Sequence, residues 1–224
     1  MSVNFKPLLY ANKIALGPMV RAGRTPLRML ALEYGADLVY TEEIIDERLL
    51  QTKRVVNELL GCVDYTVGND IVLRIVKEEA QKCILQIGTS TAEKAVKICK
   101  KFGQDVAAID VNMGCPMPFS TMRGMGAALL SEPGKVKEIL TSMVANSPVP
   151  VSCKIRVLNE REKTLEFAKM IQSCGVSAIG VHGRRKFETH TCTNRIDEIR
   201  DVANSLSIPV LAKYVSFVLM SFAL

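Results

Sequence analysis

The sequence has little of what metal centres, redox disulfides and membrane anchors require. It contains two histidines, and its seven cysteines are scattered without a Cys-x-x-Cys pair. Because neither histidine shares a metal-ligand spacing with a cysteine pair, we predict reduced, intracellular thiols and no metal site. The N-terminal residues lack a charged segment followed by a long apolar core, so no secretory signal is expected. The apolar run 214–224 is too short to span a bilayer, and we predict a cytoplasmic protein without membrane association.

Length and composition are those of an ordinary globular protein. With 224 residues, of which 48% are hydrophobic and 23% are charged, we expect a single domain with a sizeable core. The net charge of +6 is compatible with a polyanionic partner, but it is also common in proteins that bind no nucleic acid.

Short apolar runs alternate with amphipathic segments along the chain. The runs predict strands at 14–16, 37–40, 83–88, 108–112, 149–156, 178–182 and 208–212. Helices are predicted at 25–34, 91–101, 133–144, 162–174 and 195–205. A polar helical region is expected after Glu43 and past Leu60, and 72–80 fits either a strand or a helix.

This alternation predicts an α/β fold with a parallel sheet and helices outside it. The repeat length favours a TIM barrel of the (β/α)8 type, incomplete at the C-terminus with about seven strands present. No Gly-x-Gly-x-x-Gly motif follows the first strand, which disfavours a doubly wound dinucleotide fold.

In such a barrel the carboxyl ends of all strands open on one mouth, where active sites lie. Polar or reactive side chains follow nearly every predicted strand, namely Glu42, Glu43, Gln86, Asn112, Cys115, Lys154, Arg156, His182 and Arg184, together with the Pro18-Met19 pair. Each alone is weakly informative, and their joint placement predicts a site.

Two of these residues stand out by their neighbours in sequence. Lys154 interrupts an apolar strand and would be an unpaired buried cation unless it faces a polar mouth holding an anion or an electron-rich ring. Cys115 lies in a turn between Gly114 and Pro116. From the residues alone it could be a nucleophile, a general acid or an inert thiol.

Several motifs resemble, in order and spacing, those of the tRNA-dihydrouridine synthases, flavin enzymes that reduce a uridine of the tRNA D-loop. The motifs are Leu-Gly-Pro-Met-Val at 16–20, Leu-Gln-Ile-Gly at 85–88, Asp-Val-Asn-Met-Gly-Cys-Pro at 110–116, Gly-Ala-Ala-Leu-Leu at 126–130, Cys-Lys-Ile-Arg at 153–156 and Val-His-Gly-Arg at 181–184. The resemblance covers about residues 12–212 and is greatest to the eukaryotic branch that modifies position 20.

The resemblance implies FMN as cofactor, NADPH as reductant and tRNA as partner, with a hydride passing from flavin N5 to uracil C6 and a proton reaching C5. It implies flavin contacts for Pro18, Met19, Val20, Gln86, Lys154 and His182, uracil contacts for Asn112 and Arg156, and proton donation by Cys115. A thiol near its ordinary pKa of about 8.5 would be mostly protonated at neutral pH. Basic residues at 184–186 would hold phosphates, or they form a solvated loop.

The resemblance fails in two places. The family's lysine and glycine in the loop after the cysteine are replaced by Met122 and Arg123, which weakens an RNA contact there. After Ala212 the family continues with an Asn-Gly-Gly segment that binds the FMN phosphate, whereas this chain has Lys213 and an apolar tail. We therefore expect a partial barrel at 1–212, a divergent tail at 213–224 and weakened or absent FMN binding. The alternatives are an inactive remnant that binds RNA and a flavin barrel acting on a free pyrimidine.

Overall fold

The structure of the chain, a computed structural model, describes residues 10–189 and 191–213. In chain order the strands are β1 (Ala15–Leu16), β2 (Leu38–Tyr40), β3 (Ile44–Ile45), β4 (Lys53–Asn57), β5 (Cys62–Val67), β6 (Asp70–Val76), β7 (Cys83–Gly88), β8 (Ala108–Met113), β9 (Val151–Arg156), β10 (Ala178–His182) and β11 (Val210–Lys213). The helices are α1 (Thr25–Glu33), α2 (Asp46–Leu50), α3 (Ala92–Phe102), α4 (Pro118–Thr121), α5 (Pro133–Asn146), α6 (Arg161–Ser173) and α7 (Ile196–Ser205), with a 3-10 helix at Gly126–Ser131.

A curled parallel sheet forms the centre of the fold. Its strand order is β1-β2-β7-β8-β9-β10-β11, and β3 pairs with the end of β7. The inward side chains form an apolar cluster of Tyr10, Leu38, Tyr40, Ile84, Ala108 and Ala178. Because β2 and β10 lie far apart in the strand order, they share one cluster only if the sheet curls as in a barrel. The predicted incomplete barrel is confirmed, and within the described residues β1 and β11 do not pair with each other.

Helices cover the outer face of this sheet and bury its second side. The outward residues Ile109 and Val111 of β8 belong to the main core together with Ile98 of α3 and Leu140 of α5. Each such side chain is fully buried, which stabilises the fold by roughly 1.5–3 kcal/mol per residue. Burial on both faces explains why the strands read as nearly continuous apolar runs.

The prediction of a helical region from after Glu43 to past Leu60 is wrong for most of its length. Only α2 is helical, and β4, β5 and β6 form a separate antiparallel sheet in that order. Gly68, at a φ of +58°, and Asn69 make the tight turn that joins β5 to β6. Tyr65 anchors the small sheet, because its fully buried ring packs 4.2 Å from the ring of Phe102 in α3.

A buried ion pair fastens α1 to the small sheet. The Arg28 guanidinium donates to both carboxylate oxygens of Glu79 at 2.7 Å, and the two side chains are only 2% and 0% exposed. It also donates to the carbonyl oxygens of Gly23 and Arg74 and to Thr25 Oγ1. These hydrogen bonds pair the N–H groups of the guanidinium and connect the loop after β1 to β6.

Three further predictions concern the cysteines, membrane-spanning helices and the C-terminal residues. All seven cysteines lie in the described ranges and are free thiols. No helix among the described residues is long and apolar enough to cross a membrane. Lys213, the first residue of the predicted tail, belongs to β11, and 214–224 lies outside the described residues.

Candidate active site

The register of the parallel strands brings the predicted site residues into one end of the barrel. Asn112 of β8 lies beside Lys154 of β9, and Arg156 of β9 lies beside His182 of β10, which in turn neighbours Lys213 of β11. Residues paired in register project to the same face of a sheet. These side chains therefore share the inner face near the carboxyl ends of the strands.

The inner face carries a cluster of basic side chains. Burial lowers the pKa of Lys154 to about 8, and the charge of Lys213 adds to this effect. Burial also lowers the pKa of His182 to about 3, with further contributions from Lys154, Arg156, Arg184 and Lys213. A guanidinium N–H of Arg184 lies 3.4 Å from His182 Nε2, which suits a neutral imidazole with Nε2 as acceptor. The cluster is thus suited to bind an anion, which would relieve the mutual repulsion.

An open cavity of about 460 Å³ adjoins the basic cluster between β1 and β11. Lys154 and Lys213 line it on one side, and Gly17 and Pro18 line it on the side of β1. The stem of Lys154 lies against Gly180, where an added Cβ would stand 3.1 Å from Lys154 Cγ. The glycine therefore leaves room for the lysine to reach the cavity.

The loop after β1 brings one apolar residue to this cavity and two more directly after it in sequence. Pro18 lines the cavity, and Met19 and Val20 follow it with 37% and 51% of their surface exposed. The loop folds back on itself, since the Met19 carbonyl accepts from the N–H groups of Ala22 and Gly23. Such partly exposed apolar groups could contact a flat ring.

A chain of hydrogen bonds below the mouth fixes the orientation of two amide side chains. Asp110, only 1% exposed, accepts from Gln86 Nε2 at 2.8 Å and from Ser152 Oγ at 2.7 Å. Because the Gln86 nitrogen faces Asp110, its oxygen Oε1 accepts from Asn112 Nδ2 at 2.9 Å. Tyr10 donates to Ser152 and completes the network.

The same network shapes the turn that carries Cys115. Asn112 Oδ1 accepts from the backbone N–H groups of Gly114 and Cys115 at 2.9 and 2.8 Å. Burial, followed by the negative charge of Glu43, raises the pKa of the Cys115 thiol to about 11. The expectation of a nearly ordinary pKa is therefore wrong. The thiol is more fully protonated at neutral pH than a thiol with a pKa near 8.5 would be.

Arg156 connects the Cys115 turn to the loop after β10. Its Nε donates to the Gly114 carbonyl at 2.7 Å, and its Nη1 donates to the carbonyls of Arg185 and Glu188 at 2.9 and 3.3 Å. The guanidinium thus braces both loops at the mouth, in addition to its predicted uracil contact.

Ion pairs order the basic loop that follows β10. Glu188 accepts from the Arg185 backbone N–H and from both Nη atoms of Arg195. The hydrogen bonds from these two arginines hold the pKa of Glu188 down at about 2. Beside this framework, Lys186 Nζ lies 5.4 Å from the centre of the Phe187 ring, which is 89% exposed.

The roles of two buried carboxyl groups at the site are not evident from the sequence. Asp110 stands as a single charge within an apolar run, which is itself a signal, because an isolated buried carboxylate is costly. Glu43 is predicted only as one of several strand-end residues, whereas in the structure it accepts a hydrogen bond from Ser120 of α4, which follows the Cys115 turn.

Comparisons with known proteins agree with this geometry. The family model described as dihydrouridine synthase (Dus) matches residues 14–213. A protein of Schizosaccharomyces pombe, named tRNA-dihydrouridine(20) synthase with NAD(P)+ in its name, is 43% identical over 186 residues, which are 79% of this chain and 39% of that protein. A protein of Saccharomyces cerevisiae with the same name is 38% identical over 218 residues, 90% of this chain and 57% of that one. The chain thus spans about half the length of these relatives.

A solved structure supports the fold independently. A complex of 2-naphthoyl-CoA reductase with 2-naphthoyl-CoA aligns over 91% of this chain and 44% of its own, with a TM-score of 0.55 and 11% identity. At that identity the likeness shows the fold alone. The family match over residues 14–213 and the identity to the two yeast proteins show that the chain belongs to the dihydrouridine synthase family.

Proposed function

We propose that the chain reduces a uridine of tRNA to 5,6-dihydrouridine, with FMN bound at the mouth of the barrel and NADPH as reductant. The observation that carries the proposal is that Cys115, a protonated thiol, lies in the same mouth as the basic cluster around Lys154 and His182. An acid and an anion-binding surface at one open strand end are what a flavin-dependent reduction of a ring requires.

The side chains present fit FMN. Pro18, Met19 and Val20 offer an apolar wall for the flavin ring, while Lys154 and His182 offer a positive charge and a hydrogen-bonding ring for its polar parts. These donor types suit a cofactor that carries a phosphate and becomes more negative on reduction. We assign the pyrimidine edge to Gln86, whose amide keeps one N–H beyond its bond to Asp110.

When bound, FMN supplies the hydride that the uracil ring takes at C6. Cys115 gives the proton to C5, and its raised pKa keeps the thiol protonated until C5 accepts the proton. Lys154 would hold positive charge near the pyrimidine edge of the flavin, at the open cavity that its side chain lines. We assign Asn112 and Arg156 to the uracil, since both lie next to the Cys115 turn.

The substrate assignment rests on the relatives and on charge. Both named relatives carry "tRNA-dihydrouridine(20)" in their names, and we infer the same position in the D-loop for this chain. A paired or stacked base must leave the helix to reach the mouth. The net charge of +6 and the basic loop that includes Lys186 favour the approach of a phosphate backbone.

The test is an assay of the purified chain supplied with FMN, NADPH and unmodified tRNA, with free uridine in a parallel sample. We expect dihydrouridine at position 20 of the tRNA and none from free uridine. Cys115→Ala should lower the rate at least about 100-fold, the usual contribution of a general acid, while Cys192→Ala should stay within about two-fold of the unmodified chain. Equal turnover of free uridine would favour a free-pyrimidine oxidoreductase instead.

A binding measurement separates catalysis from RNA recognition alone. Lys154→Met should reduce the flavin absorbance that remains after gel filtration, whereas Lys97→Met, on the exposed side of α3, should not. A colourless protein that binds tRNA without forming product would instead favour the RNA-binding remnant.

A further inference from the structure

Glu43 places a buried carboxyl group beside the candidate proton donor. The residue lies between β2 and β3, at the carboxyl end of the barrel, and is only 8% exposed. Its Oε1 accepts a hydrogen bond from Ser120 Oγ at 2.8 Å. Its Oε2 is buried and accepts no hydrogen bond from any residue that the structure describes. A buried carboxyl oxygen without a hydrogen-bond partner is energetically costly, so its presence in this pocket calls for an explanation.

Two separate segments build the pocket around this carboxyl. The turn after β8 brings α4 across the barrel end, and Ser120 of α4 reaches Glu43. Gly88 ends β7, and a Cβ there would stand 2.7 Å from Glu43 Oε1. The glycine is thus needed for the carboxyl to enter the pocket. Among the described residues no lysine or arginine forms an ion pair with Glu43, although Lys154 lies near enough to lower its pKa.

The Cys115 side chain borders the same pocket. A Cβ on Gly126 would stand 2.5 Å from Ser120 Oγ, which binds Glu43, and 3.1 Å from Cys115 Cβ. Burial raises the pKa of Glu43, against the opposing effects of Ser120, Cys115 and Lys154. Burial and the charge of Glu43 raise the pKa of Cys115, while the charge of Arg156 lowers it. Because a thiolate and a carboxylate in the same pocket would repel, the pair binds one proton more strongly than either group would alone.

We propose that Glu43 returns a proton to Cys115 after each turnover and thereby acts as the positioning residue behind the proton donor. This rests on the proposed role of Cys115 as the acid. The S–H bond of Cys115 breaks as uracil C5 takes the proton, which leaves a thiolate. The Glu43 carboxylate, held by the Ser120 hydroxyl, then takes a proton from a water molecule, which leaves as hydroxide. The new O–H bond of Glu43 breaks as an S–H bond forms at Cys115, and Glu43 returns to the carboxylate.

The first test measures the thiol without any turnover. Alkylation of Cys115 by iodoacetamide is followed against pH, with the modified peptide quantified by mass spectrometry. Glu43→Gln removes the negative charge but keeps an acceptor for Ser120, so the profile should move to lower pH. At pH 8 we expect alkylation about ten-fold faster than in the unmodified chain, which corresponds to one pKa unit. Glu93→Gln, an exposed residue of α3, should match the unmodified chain. An unshifted profile in Glu43→Gln would overturn the coupling.

The second test separates the first turnover from those that follow. In the reduced holoenzyme with tRNA, Glu43→Gln should keep a single-turnover rate within about two-fold of the unmodified chain, because Cys115 starts protonated. Its steady-state rate should fall at least about ten-fold, and Glu43→Asp, which keeps an ionisable carboxyl, should recover most of it. Equal losses in both rates, or no recovery by Glu43→Asp, would overturn the relay.

The two tests also separate this inference from the proposed function. If the unmodified chain forms no dihydrouridine, the proposed function fails and the alkylation profiles alone decide whether Glu43 controls the thiol. If Glu43→Gln does not fold, Glu43→Ala, which also removes the carboxyl, carries both measurements. An alkylation profile and a steady-state rate identical to those of the unmodified chain would then count against the relay.

Discussion

Replacing Asp110 with asparagine tests whether the network below the mouth needs a charge or only acceptor atoms. In the native chain Asp110 accepts from Gln86 at 2.8 Å and from Ser152 at 2.7 Å. Asparagine keeps an oxygen for Gln86, and its amide group can donate to the Ser152 oxygen if that hydroxyl turns towards Tyr10. We therefore expect Asp110→Asn to keep the orientation of Gln86 and to fold normally.

The magnitude follows from the pKa of the buried carboxyl. Burial raises the pKa of Asp110 to about 6, against the hydrogen bonds of Gln86 and Ser152. Between about pH 4 and pH 6 the folded chain binds more protons at this site than the unfolded chain does, so this site makes the free energy of unfolding fall as pH rises. A difference of about two pKa units corresponds to a loss on the order of 3 kcal/mol at pH 7 relative to pH 4. Asp110→Asn lacks this loss.

The assay is urea unfolding followed by circular dichroism at pH 4 and pH 7. Relative to the unmodified chain, Asp110→Asn should gain on the order of 3 kcal/mol in unfolding free energy between the two pH values. Asp70→Asn, at a side chain that is 79% exposed, serves as control and should gain far less. If the unmodified chain and Asp110→Asn depend on pH in parallel, the buried carboxyl is not the source of the effect.

Two further predictions concern the ion pair and the basic cluster. Arg28→Ala leaves Glu79 as an unpaired buried charge, so the unfolding free energy should fall by about 3–5 kcal/mol. Lys97→Ala, on the surface, should lower it by less than about 0.5 kcal/mol. Similar losses in the two variants would contradict the burial of the Arg28–Glu79 pair. Lys154→Met removes a positive charge near His182, so the pKa of the His182 imidazole, followed by NMR titration, should rise from about 3. An unchanged pKa would mean that the two side chains do not share the mouth.

The parallel strands could be predicted because burial on both faces leaves a continuous apolar signal. The small antiparallel sheet could not, since β4 begins with the exposed Lys53 and Arg54 and resembles a polar helix in isolation. What makes it a sheet is tertiary: Tyr65 is buried against Phe102 of α3, a contact between segments far apart in sequence. The local sequence pattern does not indicate that contact.

At the site, the residue types could be predicted and their partners could not. Strand-end position identified Lys154, His182 and Cys115, because parallel strands deliver their carboxyl ends to one place. The hydrogen bonds that orient Gln86 and Asn112 pass through Asp110, and their geometry depends on the register of β7, β8 and β9. The position of Glu43 likewise depends on segments that meet only in the folded chain.

The most direct test of the account is the position of solvent deuterium in the product. The chain, supplied with FMN and NADPH, is incubated with tRNA in D2O, and the dihydrouridine formed is analysed by mass spectrometry and NMR. We predict deuterium at C5 in the unmodified chain, delivered from the exchanged thiol of Cys115, whether or not exchange at the reduced flavin also labels C6. Product formation should be at least about 100-fold slower in Cys115→Ala. Deuterium at C6 alone, or an unchanged rate in Cys115→Ala, would contradict the assignment of Cys115 as the proton donor.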